Sequence, residues 1–360
     1  MRERIAVPAG TDDEATFTAW VPPLRRPSTT SRLSPPEPDV AGALYARAVS
    51  TFDVDELAQL RPRLLAFCYQ MLGSPFEAED AVQDAMERAW KARSSFDPTR
   101  ATLATWAFRI ARNVCVDRLR ETPRRPLPRD LQAPGIEVGA PLVPAFDVPW
   151  LMPAPTGWVA ASEVESAAER RSDVRLAVTA MLQSLSPLQR GAYVLRDLIG
   201  LSAAETAAVL EVSVASANSA LQRARSAISA GTQRPHDLAP SAVEGYARAI
   251  ERADVAALAA LVSDDLVFEM PPVPAWSTGR DTYRAFMADF FARRGTSWRT
   301  TPVTANGQRG ILLSRLTPDG AEPHTVQLFD GDASGAIRHV LVYQDPRLFA
   351  LLENESAAVR

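Results

Sequence analysis

Cysteine and lysine are almost absent from this chain, and no long apolar run occurs in it. Its two cysteines, Cys68 and Cys115, have neither zinc-site spacing nor the number needed for a disulfide framework. Both sit in helical apolar patterns and read as reduced, buried thiols of a cytosolic protein. The opening stretch MRERIAVPAGTDDEATFTAW lacks the apolar core of a secretion signal, and no later run reaches the ~18 residues of a membrane span. The expected location is therefore the cytoplasm, with no membrane partner. GQRG and GDASG lack the glycine spacing and the strand-to-helix context of phosphate loops, so neither a cofactor nor a metal is expected. Lys91 is the one basic residue that is not arginine, a bias of composition with no mechanistic content.

Positive charge is also in short supply. A net charge of −4 over 360 residues argues against a protein that coats nucleic acid by charge alone, so any DNA binding must be local or assisted. At 46% hydrophobic content, the chain has enough apolar material for two or three domains.

Proline is plentiful, 29 residues, and it is concentrated. Residues 1–53 contain WVPPLRRPSTTSRLSPPEPD, which has little periodicity and reads as a disordered leader. Residues 54–121 are helical in pattern throughout. ELAQLRPRLLAFCYQMLG reads as one helix ending at Gly73, SPFEAEDAVQDAMERAWKARSSF opens on a Ser-Pro start, and TLATWAFRIARNVCVDRLRE closes the unit. This predicts an all-α domain of three or four helices. Nine prolines between Thr122 and Glu165 forbid a helix there, which makes 122–164 a linker. Trp150, Leu151, Met152 and Trp158 are costly to leave in water, so the stretch WLMPAP is expected to dock.

Residues 165–232 form a second helical unit. Ser186, Pro187 and Gln189 make one capped start, and Ser202 with Glu205 makes another. A tight turn then leads into SVASANSALQRARSAI, giving a helix-turn-helix. Val214, Ala217, Leu221, Ala224 and Ile228 form its apolar stripe. The opposite face carries Ser216, Asn218, Ser219, Gln222 and Arg223 and no acid. Short polar groups can approach base edges in a major groove, and arginine can reach phosphate or guanine, so this face is the expected DNA reader.

After residue 240 the pattern changes. SAVEGYARAIERADVAALAALV reads as one long helix, followed by a strand, a second helix RDTYRAFMADFFARR, and four strands with hairpin signals at Asn306-Gly307 and Pro318–Gly320. Helices over a curved antiparallel sheet give an α+β domain with one concave interior, at residues 240–350.

Two segments carry a resemblance. CYQMLGSPFEAEDAVQDAMERAWKARSSFDPTRATLATWAFRIARNVCVDRLR resembles the second conserved region of bacterial sigma factors of the compact extracytoplasmic-function group. LQSLSPLQRGAYVLRDLIGLSAAETAAVLEVSVASANSALQRARSAI resembles their fourth region. The fold this implies is multidomain: a region 2 bundle, a region 4 helix-turn-helix, and the α+β domain beyond. The resemblance implies that Asp80, Gln83, Asp84, Glu87 and Arg88 dock on the clamp of the largest subunit of core RNA polymerase, and that region 4 meets the flap of the second-largest. It implies that Trp106, Arg109, Arg112 and Asn113 contact the promoter −10 element, where unstacked bases need aromatic planes, cations and amides. Ser216, Asn218, Ser219, Gln222 and Arg223 fall to the −35 element.

FEMPPVPAWSTGRDTYRAFM, VTANGQRG and YQDPRLF resemble a SnoaL-like (NTF2-like) cone, related to ketosteroid isomerase and found at the end of one sigma-factor subgroup. WLMPAP resembles a Trp-Leu-x-Pro-x-Pro motif of that subgroup, with Ala154 where tyrosine is common. This marks Trp150, Leu151, Pro153 and Pro155 as candidates for interdomain regulation. As a regulatory module the last domain would contact the linker and helical units. As an enzyme it would use a carboxylate of set pKa opposite a donor, drawn from Asp289, Glu269, His324, His339 and Tyr343; it also has room for an unknown small ligand. Rival readings of the whole chain are a repressor with a ligand domain, which leaves the first helical unit unexplained, and a cyclase with a DNA-binding tail, which explains neither helical unit.

Overall fold

The computed structural model describes residues 52–122, 124–159, 175–231 and 236–358. Most of the leader, the first ten residues assigned to the second helical unit, and 232–235 lie outside the described residues.

The first unit has four helices: α1 (Val54–Gln59), α2 (Arg61–Leu72), α3 (Pro75–Lys91) and α4 (Leu103–Glu121). The single helix expected up to Gly73 is two. Pro62 has no N–H and its ring opposes the carbonyl of Ala58, so the chain turns at Leu60 and starts again. Three of the four starts are capped by a short side chain: Asp53 accepts from Asp55 N, Ser74 from Glu77 N and Thr102 from Thr105 N, while α2 starts at Leu60 without a side-chain cap. Gly73 ends α2 in the left-handed region, φ 72°.

A single turn, α5 (Thr156–Val159), closes the described linker. The second unit contains α6 (Leu176–Leu182), α7 (Pro187–Tyr193), α8 (Ala203–Leu210) and α9 (Val214–Gly231). Ser186 and Ser202 both close capping boxes, with Gln189 and Glu205. Glu211, at φ 57°, makes the tight turn, and Ser213 accepts from Ser216 N at the start of α9. The two units do not keep separate cores. Leu64, Phe67 and Phe108 of the first belong to one buried cluster with Ala192, Val194 and Leu221 of the second.

The C-terminal part runs α10 (Pro240–Glu251), α11 (Val255–Leu261), β1 (Val262–Met270), β2 (Val273–Thr278), α12 (Arg280–Arg294), β3 (Trp298–Ala305), β4 (Gln308–Thr317), β5 (Gly320–Gly331), β6 (Ile337–Tyr343) and α13 (Pro346–Ala358). The long helix expected after residue 240 breaks at Ala253, φ 51°, because Asp254 caps a new helix through Ala257 N. Between the expected strand and the helix that follows it lies a further strand, β2, which carries Trp276. The sheet order is β2-β1-β6-β5-β4-β3, and the β1–β6 pair is parallel where an all-antiparallel sheet was expected. One face buries Phe268, Tyr246, Tyr283 and Phe291 under helices α10–α12. The other carries Val326, Leu328, Leu341 and Tyr343 and packs on Leu127 and Leu151 of the linker and Leu176 of α6. Both faces of the sheet are therefore buried, one of them by the rest of the chain.

Candidate nucleic-acid interface and the interdomain junction

On α9 the buried stripe consists of Ala217, Ala220, Leu221 and Ala224; Val214, expected in it, is 44% exposed. Val214 is the first helical residue, where the chain has only just left the turn and little packs on it. Asn218, Ser219, Gln222 and Arg223 are exposed and Ser216 is half-buried, so these five share an open face. Arg225 is held away from that face by Asp197, with nitrogen–oxygen distances of 2.8 and 2.6 Å.

On α3, Asp80, Gln83, Glu87 and Arg88 are exposed beside the buried Ala81, Val82, Ala85 and Ala89. Asp84 is half-buried, accepting from Arg118 at 2.7 Å, which ties α3 to α4. Glu87 pairs with Lys91 and Arg88 approaches Asp117. The −10 candidates divide. Arg109 is exposed and Asn113 half-buried. Trp106, expected to stack on a base, is instead core: it is 7% exposed, with ring centroids 5.5 Å from Phe52 and 5.4 Å from Phe96. Arg112 donates to Asn113 Oδ1 (2.7 Å), to the carbonyl of Leu210 (3.3 Å) and to Glu211 (3.3 Å). The turn of the helix-turn-helix thus occupies an arginine expected to touch promoter DNA.

The linker segment is the hub of the molecule. Trp150, Leu151, Pro153 and Pro155 are all buried, Leu151 completely. Burying such a leucine contributes roughly 1.5–3 kcal/mol. Met152 N donates to the carbonyl of Gly73 at 3.0 Å, and Tyr343 Oη donates to that of Leu151 at 3.0 Å. Ala154 and Asn306 exchange two bonds: Ala154 N donates to Asn306 Oδ1 (2.8 Å), and Asn306 N to the carbonyl of Ala154 (3.0 Å). Tyr69 Oη of α2 lies 2.9 Å from Asn306 Oδ1 and 2.9 Å from the carbonyl of Met152. Residue 154 makes these bonds through its main chain, so alanine in place of tyrosine leaves them intact.

Tyr69 and Asn306 were not singled out in the sequence. The Asn-Gly hairpin signal located the turn, and Asn306 takes φ 50° there; what its side chain meets is set by tertiary packing. Also unforeseen is Arg129, whose backbone N and Nε each lie 2.9 Å from the Glu269 carboxylate. Glu269 is fully buried and lies 2.8 Å from His339 Nε2; His339 Nδ1 is 3.7 Å from Asp330. Burial pushes Glu269 up, but the hydrogen bond from His339 and the charges of His339 and Arg129 outweigh it and hold the carboxyl at about 2. Burial and Arg129 push His339 down, and its bonds to Asp330 and Glu269 outweigh them, leaving its pKa raised.

The five candidates for acid–base work therefore do not converge. Glu269, His339 and Tyr343 face the linker side of the sheet, His324 lines the cavity on the opposite side, and Asp289 pairs with Arg293 on α12. No described helix is long and apolar enough to cross a membrane, and no metal-binding cluster occurs among the described residues.

The chain matches the family descriptions Sigma-70 region 2 at residues 56–125, Sigma-70 region 4 at 175–228, and SnoaL-like domain at 243–337. It is 35% identical over 300 residues to the ECF RNA polymerase sigma factor SigG of Mycobacterium tuberculosis, covering 80% of each chain. It is 30% identical over 178 residues to SigJ of the same organism, covering 49% of this chain and 50% of that one. The crystal structure of Mycobacterium tuberculosis SigJ shares the fold, with a TM-score of 0.53 at 23% identity over 83% of this chain and 99% of that chain. With regions 2 and 4 in order and a relative matched over 80% of each chain at this identity, the chain belongs to the ECF sigma factor family: it is an alternative sigma factor for transcription initiation with a SnoaL-like domain following region 4.

Proposed function

We propose that this sigma factor binds core RNA polymerase through the open face of α3 (Asp80, Gln83, Glu87 and Arg88, with Asp84 as its anchor to α4) and through region 4. It reads the −35 element with Ser216, Asn218, Ser219, Gln222 and Arg223, and the −10 element with Arg109, Arg112 and Asn113. It works in the cytoplasm, where polymerase and promoter are. Its C-terminal domain is a regulator and not an enzyme, because a buried carboxylate held ionised by the Arg129 guanidinium and a hydrogen bond with His339 is poorly suited to taking a proton.

The domain acts by holding the linker. One observation carries this reading: Trp150, Leu151 and Pro153–Pro155 are buried between α2, α6 and the outer face of the sheet, pinned by Tyr69, Asn306 and Tyr343. With the linker held there, α4 and the helix-turn-helix stay packed together and Arg112 stays on Leu210 and Glu211. A linker bound in this way holds back initiation until it is released.

The test is transcription in vitro with core polymerase from a genomic promoter library, comparing the full chain with its Trp150→Ala/Leu151→Ala variant. Starts that need the protein, and more of them with the variant, support the reading. Equal starts from both would refute the linker control while leaving the sigma activity in place.

A further inference from the structure

The helix-covered side of the C-terminal sheet holds a cavity of about 90 Å3 that opens to the surface. Phe268, Met270, Phe286, Met287, Leu313 and Val342 give it an apolar wall. Its inner polar groups bond to one another. The hydroxyls of Tyr246 and Tyr283 lie 2.6 Å apart, Tyr246 Oη donates to Gln327 Oε1 at 3.1 Å, and Gln327 Nε2 donates to Thr325 Oγ1 at 3.3 Å. An interior satisfied in this way suits an apolar body.

The mouth is different. Pairing of β4 with β5 jumps from Leu313–Thr325 to Ser314–Pro323, which leaves His324 without a partner on β4. A bulge of this kind re-aims a side chain. His324 joins the cavity lining, with its ring 5.0 Å from Trp298 and 5.9 Å from Phe290. Burial, then the charges of Arg294 and Arg315, push His324 down to about 4, so the imidazole is neutral at pH 7. The lining contains no carboxylate, and its one charged residue is Arg294, in the last turn of α12. Neighbouring Arg293 is taken by Asp289 and the carbonyl of Gly139, and Arg315 lies across the strands from Glu322. Among the described residues Arg294 has no ion-pair partner. Leu142 of the linker completes the rim.

We propose that this cone binds a small monocarboxylate, with its apolar body in the cavity and its carboxylate on Arg294 beside His324, against linker residue Leu142. A guanidinium left without an acid at the mouth of an apolar hole supplies the charge complement such a ligand needs. The larger cleft on the linker side, about 1070 Å3, offers no such complement: Arg124, Arg129 and Arg338 are already paired with Asp130, Glu269 and Asp265. Binding at the cone is independent of linker control, and each can fail without the other.

Titration calorimetry of the full chain with hexanoate, benzoate and hexan-1-ol tests the proposal, repeated on Arg294→Gln. Arg294 is exposed, so the variant is expected to fold, and its melting curve checks this. One-site binding of at least one acid is expected, with hexanol weaker than hexanoate by about tenfold or more and the gap closed in the variant. Binding should also move the imidazole resonances of His324. The proposal is overturned if neither acid binds saturably, if acid and alcohol bind alike, if Arg294→Gln changes nothing, or if His324 does not respond.

Discussion

Glu269 is a residue whose buried environment changes its chemistry. Its ordinary pKa of 4.5 falls to about 2 in the fold. Between those values the unfolded chain binds a proton that the folded chain does not, so stability is fully present above pH 4.5 and falls as pH drops toward 2. His339 acts in the opposite sense. Its raised pKa adds stability below about 6.5 that is lost as pH rises through the folded value. Glu269→Gln removes the anion that Arg129 shares with His339, and should cost about 3 kcal/mol at pH 5 and flatten the acid limb; urea unfolding at pH 3, 5 and 7 measures both. Gly73 is a second sensitive position. At φ 72° a side chain is strained, and its Cβ would stand 2.9 Å from Leu151 Cδ1. Gly73→Ala is expected to lower stability by about 1–3 kcal/mol in the same assay.

At the scale of elements, α9 separates folding from reading. Ala217, Ala220, Leu221 and Ala224 are buried while Gln222 and Arg223 are exposed. Gln222→Ala and Arg223→Ala should therefore leave the melting temperature within a degree or two. Each is expected to weaken −35 recognition by about 1–3 kcal/mol, read as promoter affinity of the holoenzyme on matched and altered −35 sequences. Helix α4 behaves differently, because its polar face is partly used inside the molecule. Arg112→Ala removes both a contact to Leu210 and Glu211 and a candidate DNA contact, so it should loosen the compact form while lowering −10 affinity. Glu211→Ala should loosen it without that loss. Most of the helical stretches, the caps at Ser186 and Ser202 and the polar face of α9 were readable in the sequence because they rest on local spacing and short-range bonds, whereas the breaks at Leu60 and Ala253 were not. Trp106 was not, since periodicity places an aromatic on a face without saying what covers it. Here Phe52 and Phe96 do so.

At the scale of the whole molecule, the linker holds one large helical core and one sheet together. Trp150→Ala/Leu151→Ala should remove about 2–5 kcal/mol from that attachment. The expected result is a larger radius of gyration in small-angle scattering, faster proteolysis in the linker and more initiation, with the helical content of circular dichroism unchanged. An unchanged radius with unchanged proteolysis would show that Tyr69, Asn306 and Tyr343 hold the linker without them.

Local chemistry settled much of this protein in advance. Capping residues, proline clusters, helical stripes and hairpin dipeptides act over a few residues, and they determined where helices, strands and the linker lie. Tertiary structure decided what no short window contains: that regions 2 and 4 share a core, that Glu269 meets Arg129 across 140 positions, and that a bulge turns His324 into the cavity. The reason is physical. Burial, desolvation and ion pairing depend on groups distant in sequence, so their sign and size exist only once the chain has brought those groups together.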